Sequence, residues 1–452
     1  MPETPERLAA RLERLAARLE RLVRTLQREK RLPSISAAVL RDGELIWETA
    51  VGAANVEESL EATADTQYRI GSITKTFTAT AIMQLRDAGK LDLEDTLDRH
   101  VEGAAHTPTI RRLLSHASGL QRETHDDAWL SLRFAQPDEL LETLAQAELV
   151  LPSGARFHYS NLAFALLGIV VERVSGLPYQ DYVRERLFEP VGLTRVSFEP
   201  QPPAAQGYLA QPYADGVWDA VGVDTGAWAA AGQLWGTAGD ICRWGAFLAD
   251  PDESVLASSS AEEMRTVQAI ADHERWLSGY GLGLGLSRDG DRILAGHGGS
   301  MPGFIAVLAF SAKDKVAAVA LTNESEADLS ELGIQLVGTT IEEWPIAPEA
   351  WRVGEPPPDD VVPLLGIWFM EAAHLVFRWR DGKLEARFEG TPEWRPSSVF
   401  EQETDDRWRT VSGQEQGEAL RLVRGEDGSV ESMVWAGYPV TREPGPWRAP
   451  DE

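Results

Sequence analysis

The chain has 452 residues, too many for one ordinary core and enough for two or three domains. Its hydrophobic content of 43% and charged content of 25% are those of a globular protein, while a net charge of −28 repels phosphate backbones and anionic lipid. No nucleic acid is expected as a partner, membrane binding is disfavoured, and the single cysteine, Cys242, excludes an internal disulfide.

The first predicted element is residues 1–32. RLAARLE at 7–13 repeats at 14–20, and RLVRTLQ follows at 21–27. Leu8, Leu12, Leu15, Leu19, Leu22 and Leu26 alternate spacings of four and three, the heptad seam of an amphipathic helix. The segment carries nine basic and five acidic residues, so the rest of the chain is at −32. Three readings follow: a helix docked on its own domain, a coiled coil making a homo-oligomer, or a helix on a membrane surface. No apolar run approaches the roughly 20 residues of a membrane span, and no signal peptide is recognisable, so a cytoplasmic protein is expected.

ISAAVLRDGELIWETAVG at 35–52 predicts a hairpin turning on Asp42-Gly43. FTATAIMQLRDAGKL at 77–91 and SNLAFALLGIVVERVSG at 160–176 predict helices that stop near Gly89 and Gly176. GDICRWGAF places Cys242 on an apolar helix, as a packed thiol rather than a nucleophile. RILAGHGGSMPGFIAVLAFSAKDKVAAVALTNES at 292–325 reads as three strands. An early hairpin, a helical middle and late strands predict an α+β unit over 33–345 whose sheet joins both chain ends. A Pro-rich linker is expected at 346–360. Beyond it, alternating runs over 361–452 predict a small all-β domain, with Trp368, Trp379, Trp394, Trp408 and Trp435 packing its core and rim.

Three short stretches carry the chemistry. GSITK places Ser72 three residues before Lys75, on one helix face at the start of a helix. A serine hydroxyl needs a base, and lysine is one only where burial or nearby cations lower its pKa. The helix N-terminus favours an oxyanion there. Alone, this spacing arises by chance, and its plain alternative is a capping serine beside an exposed lysine. FHYSNLAF supplies Tyr159 and Asn161: a tyrosine able to pass a proton if a cation lowers its pKa, and an amide able to bind substrate and hold Lys75. AGHGGSMPGF supplies His297, Gly298 and Gly299 between strand-like runs, where glycines allow close approach to the backbone. The N–H of Ser300 could pair with that of Ser72 as two oxyanion donors. No H-x-H, H-E-x-x-H, G-x-S-x-G or G-x-G-x-x-G pattern is present, so neither metal nor cofactor is expected.

Taken in order, Ser72/Lys75, Tyr159/Asn161 and His297/Gly299 resemble the signature of the serine β-lactamase and penicillin-binding-protein superfamily. Flanks such as TIRRLLSHASGL and QLWGTAGDICRWGAFL are similar to its class C-like branch, which includes esterases, D-amino-acid peptidases and acyltransferases. The resemblance implies a β-lactamase-like fold: a mixed antiparallel sheet flanked by helices, with a helical subdomain. It makes Ser72 an acylated nucleophile, with Lys75 and Tyr159 sharing the acid–base work. Asn161, His297, Gly298, Gly299 and Ser300 then bind substrate and oxyanion. His116, in SHASGL, matches a scaffold loop and is read as structural.

The departure is His297, where antibiotic-destroying and wall-building members usually carry lysine. A histidine mostly neutral near pH 7 attracts a substrate carboxylate weakly, which favours small-molecule esters or small amides. The last domain resembles a lipocalin-like appendage that either shapes the mouth of the site or aids assembly. The expected function is a serine hydrolase of esterase or D-amino-acid-peptidase type. An acyltransferase, a β-lactamase and a non-turnover acyl-binding sensor are the alternatives. Substrate choice is expected to lie in loops such as 121–150 and 200–230.

Overall fold

The computed structural model of the chain describes residues 5–124, 128–346 and 350–446. Parts of the expected specificity loop (125–127), the linker (347–349) and the two ends lie outside those residues. Two compact units are present, Met1–Ile346 and Ala347–Glu452.

The first unit is built on a nine-stranded sheet among the described residues. Its strands are β1 (Ser34–Arg41), β2 (Glu44–Asn55), β3 (Leu60–Glu61), β4 (Ala269–Ile270), β5 (Ser278–Tyr280), β6 (Gly285–Asp289), β7 (Arg292–Met301), β8 (Phe304–Ser311) and β9 (Val316–Thr322). They run in the order β3-β2-β1-β9-β8-β7-β6-β5-β4. The pairings are antiparallel, and β1 joins β9 with Ala38 opposite Val319, so the two ends of the unit meet in mid-sheet. Asp42 and Gly43 turn the β1–β2 hairpin with φ of 50° and 81°, the left-handed pair that a two-residue hairpin turn needs.

Both faces of β1 are buried. Ala38 and Leu40 point to one core and Ile35, Ala37 and Val39 to the other, which is why its sequence is apolar without alternation. The first core is covered by α2 (Thr74–Asp87), α3 (Asn161–Ser175) and α4 (Ala238–Ala249). Cys242, on α4, is fully buried with its Sγ 3.2 Å from the Ala317 carbonyl, and burial pushes its thiol pKa up.

The second core is covered by α1 (Pro5–Glu29) and α5 (Ser330–Glu343). Leu15, Leu19 and Val23 of α1 are buried on the sheet, with Leu22 and Leu26 packed beside them. Arg18 bridges to Glu342 and Glu343 of α5 at 3.1 and 2.7 Å. Four of the six heptad leucines, Leu15, Leu19, Leu22 and Leu26, thus serve a docked helix, while Leu8 and Leu12 are half-buried outside that core. No single helix among the described residues is long and apolar enough to cross a membrane.

The second unit is a closed eight-stranded barrel, Gly366–Met370, Ala373–Arg380, Lys383–Phe388, Ser398–Thr404, Arg407–Ser412, Ala419–Arg424, Val430–Trp435 and Tyr438–Thr441. Trp368, Phe377, Phe400, Trp408 and Trp435 fill its interior. Trp379 packs at the edge of that core, whereas Trp394 stands in solvent at 78% exposure.

Candidate active site

Ser72 sits in a single 3-10 turn, Gly71–Ile73, that leads into α2. The turn is pressed against β7, backbone to backbone. A Cβ on Gly71 would lie 2.6 Å from Ser300 N, and one on Gly299 would lie 1.9 Å from the Ile70 carbonyl oxygen. Only glycine permits that approach, and Gly71 also has φ of 50°. The start of α2 is held by two side chains: Thr74 Oγ1 accepts from the Leu234 N–H at 3.2 Å, and Thr76 Oγ1 accepts from Trp244 Nε1–H at 2.7 Å.

Lys75 is fully buried on the first turn of α2. Its Nζ lies 2.9 Å from Ser72 Oγ and 2.8 Å from the Ala231 carbonyl, and 5.0 Å above the Tyr159 ring. It makes no ion pair with any of the described residues. Burial pushes its pKa well below the ordinary lysine value; the Glu123 charge opposes this and Arg122 adds to it. A neutral amine can donate one N–H to Ala231 and turn its lone pair to the serine hydroxyl.

Tyr159 precedes α3 and shares a hydrogen bond with Ser72. Here the sequence expectation needs correcting. Proton passage by Tyr159 was tied to a cation lowering its pKa, but burial raises that pKa, and the Ser72 bond and Arg122 offset only part of the rise. Ser160 caps α3, its Oγ accepting from the Ala163 N–H at 3.0 Å. Its own N–H donates to His116 Nδ1 at 3.1 Å. His116 is fully buried, its ring 4.1 Å from that of Tyr159. Burial, then Lys75, hold it neutral, with its pKa well below the ordinary value. It touches the scaffold of the Tyr159-Ser160-Asn161 segment and does not line the cleft.

Asn161 is the second correction. Its Nδ2 donates to Glu123 Oε1 at 2.5 Å, not toward Lys75, whose Nζ is taken up by Ser72 and Ala231. A carboxylate only accepts, so the amide orientation is fixed. His297 lies on β7, half-buried. Its Nδ1 meets the Gly298 carbonyl and its Nε2 lies 2.9 Å from Tyr280 Oη. Burial, then the Lys75 charge, lower its pKa to about 3.

A cleft of about 810 Å³ brings Ser72, Tyr159, Asn161, His297, Gly298, Gly299 and Ser300 onto one surface, with Lys75 beneath it. Arg122 and Glu123 also line it, and sequence reasoning missed both. Both fall in the 121–150 loop where substrate choice is expected, but nothing in the sequence singled out either residue. Tyr280 was missed as well; it adjoins the GLGLGL run, which draws the eye to phosphate loops. No group of three or more His, Cys, Asp or Glu suited to a metal occurs among the described residues.

The family model described as Beta-lactamase matches residues 19–335, and a domain of unknown function, DUF7586, matches 357–442. Penicillin-binding protein 4 of Amycolatopsis lactamdurans is 31% identical over 377 residues, 76% of this chain and 94% of that protein. Beta-lactamase-like protein 2 of Dictyostelium discoideum is 30% identical over 253 residues, 52% of this chain and 46% of that one, so the match spans under half of that relative. Among solved structures, a D-stereospecific amidohydrolase from Streptomyces sp. superposes with a TM-score of 0.62 at 26% identity, covering 71% of this chain and 97% of that one.

Proposed function

The chain belongs to the β-lactamase family, and from that premise we propose that it is a serine hydrolase forming an acyl-enzyme on Ser72. The observation that carries the reading is the buried Lys75 amine 2.9 Å from Ser72 Oγ, with no ion pair among the described residues. As Oγ attacks the substrate carbonyl carbon, its proton passes to Lys75 Nζ and the carbonyl electron pair moves onto oxygen. The N–H groups of Ser72 and Ser300, brought together by the glycine contacts, receive that oxyanion. Tyr159, a neutral phenol, hands its proton to the leaving group and recovers one from Lys75. Water then releases the acyl group by the same path.

Asn161 with Glu123 positions the substrate, and a neutral His297 provides no charge for a substrate carboxylate. Esters and small amides are therefore the proposed substrates, and the D-stereospecific amidohydrolase supports the amide side. Assembly of copies through α1 would have to use its exposed arginine face or its first turns, because Leu15, Leu19, Leu22 and Leu26 of the seam are spent on its own sheet.

Intact mass before and after a short-chain p-nitrophenyl ester, beside Ser72→Ala, tests the reading. An adduct or turnover confined to the wild type is expected. Equal turnover in both would overturn it. A persistent adduct would point to the acyl-binding sensor, and product on an added amine or alcohol to the acyltransferase.

A further inference from the structure

The rim of the cleft is the edge of a strand. The β7–β8 hairpin turns on Pro302-Gly303, with Met301 opposite Phe304. In such a two-residue hairpin the flanking pair exchanges hydrogen bonds, and alternate residues point their N–H and C=O outward. Met301, Gly299 and His297 therefore face β8, while Ser300, Gly298 and Gly296 face the other way. Gly296 is met there by Gly285 of β6, the last pairing on that side. Gly298 and Ser300 lie beyond the end of β6, and both are exposed.

An unpaired edge of this kind is what an extended peptide would add to as a further strand. One of its acceptors is already occupied. His297 folds its ring back so that Nδ1 meets the Gly298 carbonyl. A carbonyl only accepts, so Nδ1 carries the hydrogen, and in the neutral ring Nε2 accepts from the Tyr280 hydroxyl at 2.9 Å. Tyr280 is buried on β5, its ring packed on His116 at 4.7 Å, which anchors the arrangement from behind. The lowered His297 pKa fits this neutral ring.

We infer that His297, held by Tyr280, closes the Gly298 end of the β7 edge to extended peptides and limits the site to substrates short along the strand. The inference rests on Ser72 being the acylated residue. Tyr280 is a positioning residue here: it acts through His297 and does not touch substrate.

The test compares N-acetylglycine and N-acetyl-tetraglycine p-nitrophenyl esters, which differ on the acyl side. Depsipeptides with one or four residues beyond the ester oxygen extend the leaving side. In the wild type, at least one series should lose about a hundredfold in kcat/KM on lengthening. Tyr280→Phe, which keeps the ring shape, and His297→Gly, which removes the hook, should each recover about tenfold of that ratio. A ¹⁵N spectrum should show His297 protonated at Nδ1 and bare at Nε2 in the wild type. Equal use of long and short substrates in both series, or a proton on Nε2, would overturn the inference. So would an unchanged length ratio in both variants. Adduct mass on Ser72 with the acetylglycine ester, measured alongside, separates the two levels: no adduct sinks the acyl-enzyme itself, whereas an adduct with an unchanged ratio sinks only the closed edge.

Discussion

The β7 edge beside Ser72 and the barrel of residues 366–441 are made of similar alternating strands, yet they treat their strand edges in opposite ways. The barrel leaves no strand edge, since Phe369 of its first strand pairs with Thr441 of its last. Two of its large indoles are satisfied within: Trp435 Nε1–H donates to Thr410 at 3.0 Å and Trp368 Nε1–H to the Leu364 carbonyl at 2.7 Å. Among the described residues, the hydrolase unit leaves Gly298 and Ser300 exposed beyond the end of β6 and buries a lysine without an ion pair beneath them. It also buries His116 with Nε2 lacking a hydrogen-bond partner among the described residues. The barrel has orphans of its own, since Trp379 and Trp408 bury Nε1 without a hydrogen-bond partner among the described residues, but these are inert indoles, whereas the groups left unsettled at the cleft are titratable ones.

The comparison breaks most sharply at the nucleophile. Ser72→Ala, and Lys75→Met with it, should each lose on the order of 10⁴-fold or more in kcat, because the pair acts as a unit. Single-turnover kinetics would show it, and appreciable burst chemistry in Lys75→Met would remove lysine from the role of base. In the barrel, Trp368→Ala should cost about 3–5 kcal/mol in denaturant unfolding, as a large buried ring is lost from a filled interior.

Gly299→Ala puts a methyl 1.9 Å from the Ile70 carbonyl and should push β7 away from the Ser72 turn. A fall in kcat of about 10²–10³-fold is expected, the size of a lost oxyanion donor. A rise in KM alone would argue that Ser300 N–H is not one.

The next effect is on pH. Below the ordinary lysine pKa an unfolded chain protonates this residue, whereas the fold keeps it neutral down to its lowered value. Stability should therefore rise with pH between those two values, and activity should rise as Lys75 deprotonates. Tyr159, raised, and His297, lowered to about 3, should add no limb across the neutral range. Lys75→Met should raise Tm near neutral pH and flatten that part of its pH dependence; an unchanged slope would mean the ammonium is tolerated in the fold. The smallest effect is at the docked helix, where Arg18→Ala should cost at most about 1 kcal/mol, since its bridges to α5 are half-exposed.

Much of this was legible in the chain. The hairpin at Asp42-Gly43 and the stop at Gly176, left-handed in the structure, are local events, written in residues adjacent to one another. The three motifs were legible for the same reason, each being a few residues long. Their partners were not. Glu123 reaches Asn161 across 38 positions and Tyr280 reaches His297 across 17, and no spacing rule links a carboxylate to an amide or a phenol to an imidazole over such separations. The seam of α1 could be read, but not what covered it. A leucine stripe pairs equally well with a second helix or with a sheet, and only the buried Leu15, Leu19 and Val23 decide between them.

Cys242 has a practical consequence. As the lone thiol of the chain, buried against α4's sheet contacts with its pKa raised, it should be silent to maleimides and alkylating reagents in the folded protein. A cysteine introduced at a solvent-facing position would then be labelled alone. Dyes or spin labels could be placed around the cleft rim without first preparing a cysteine-free background.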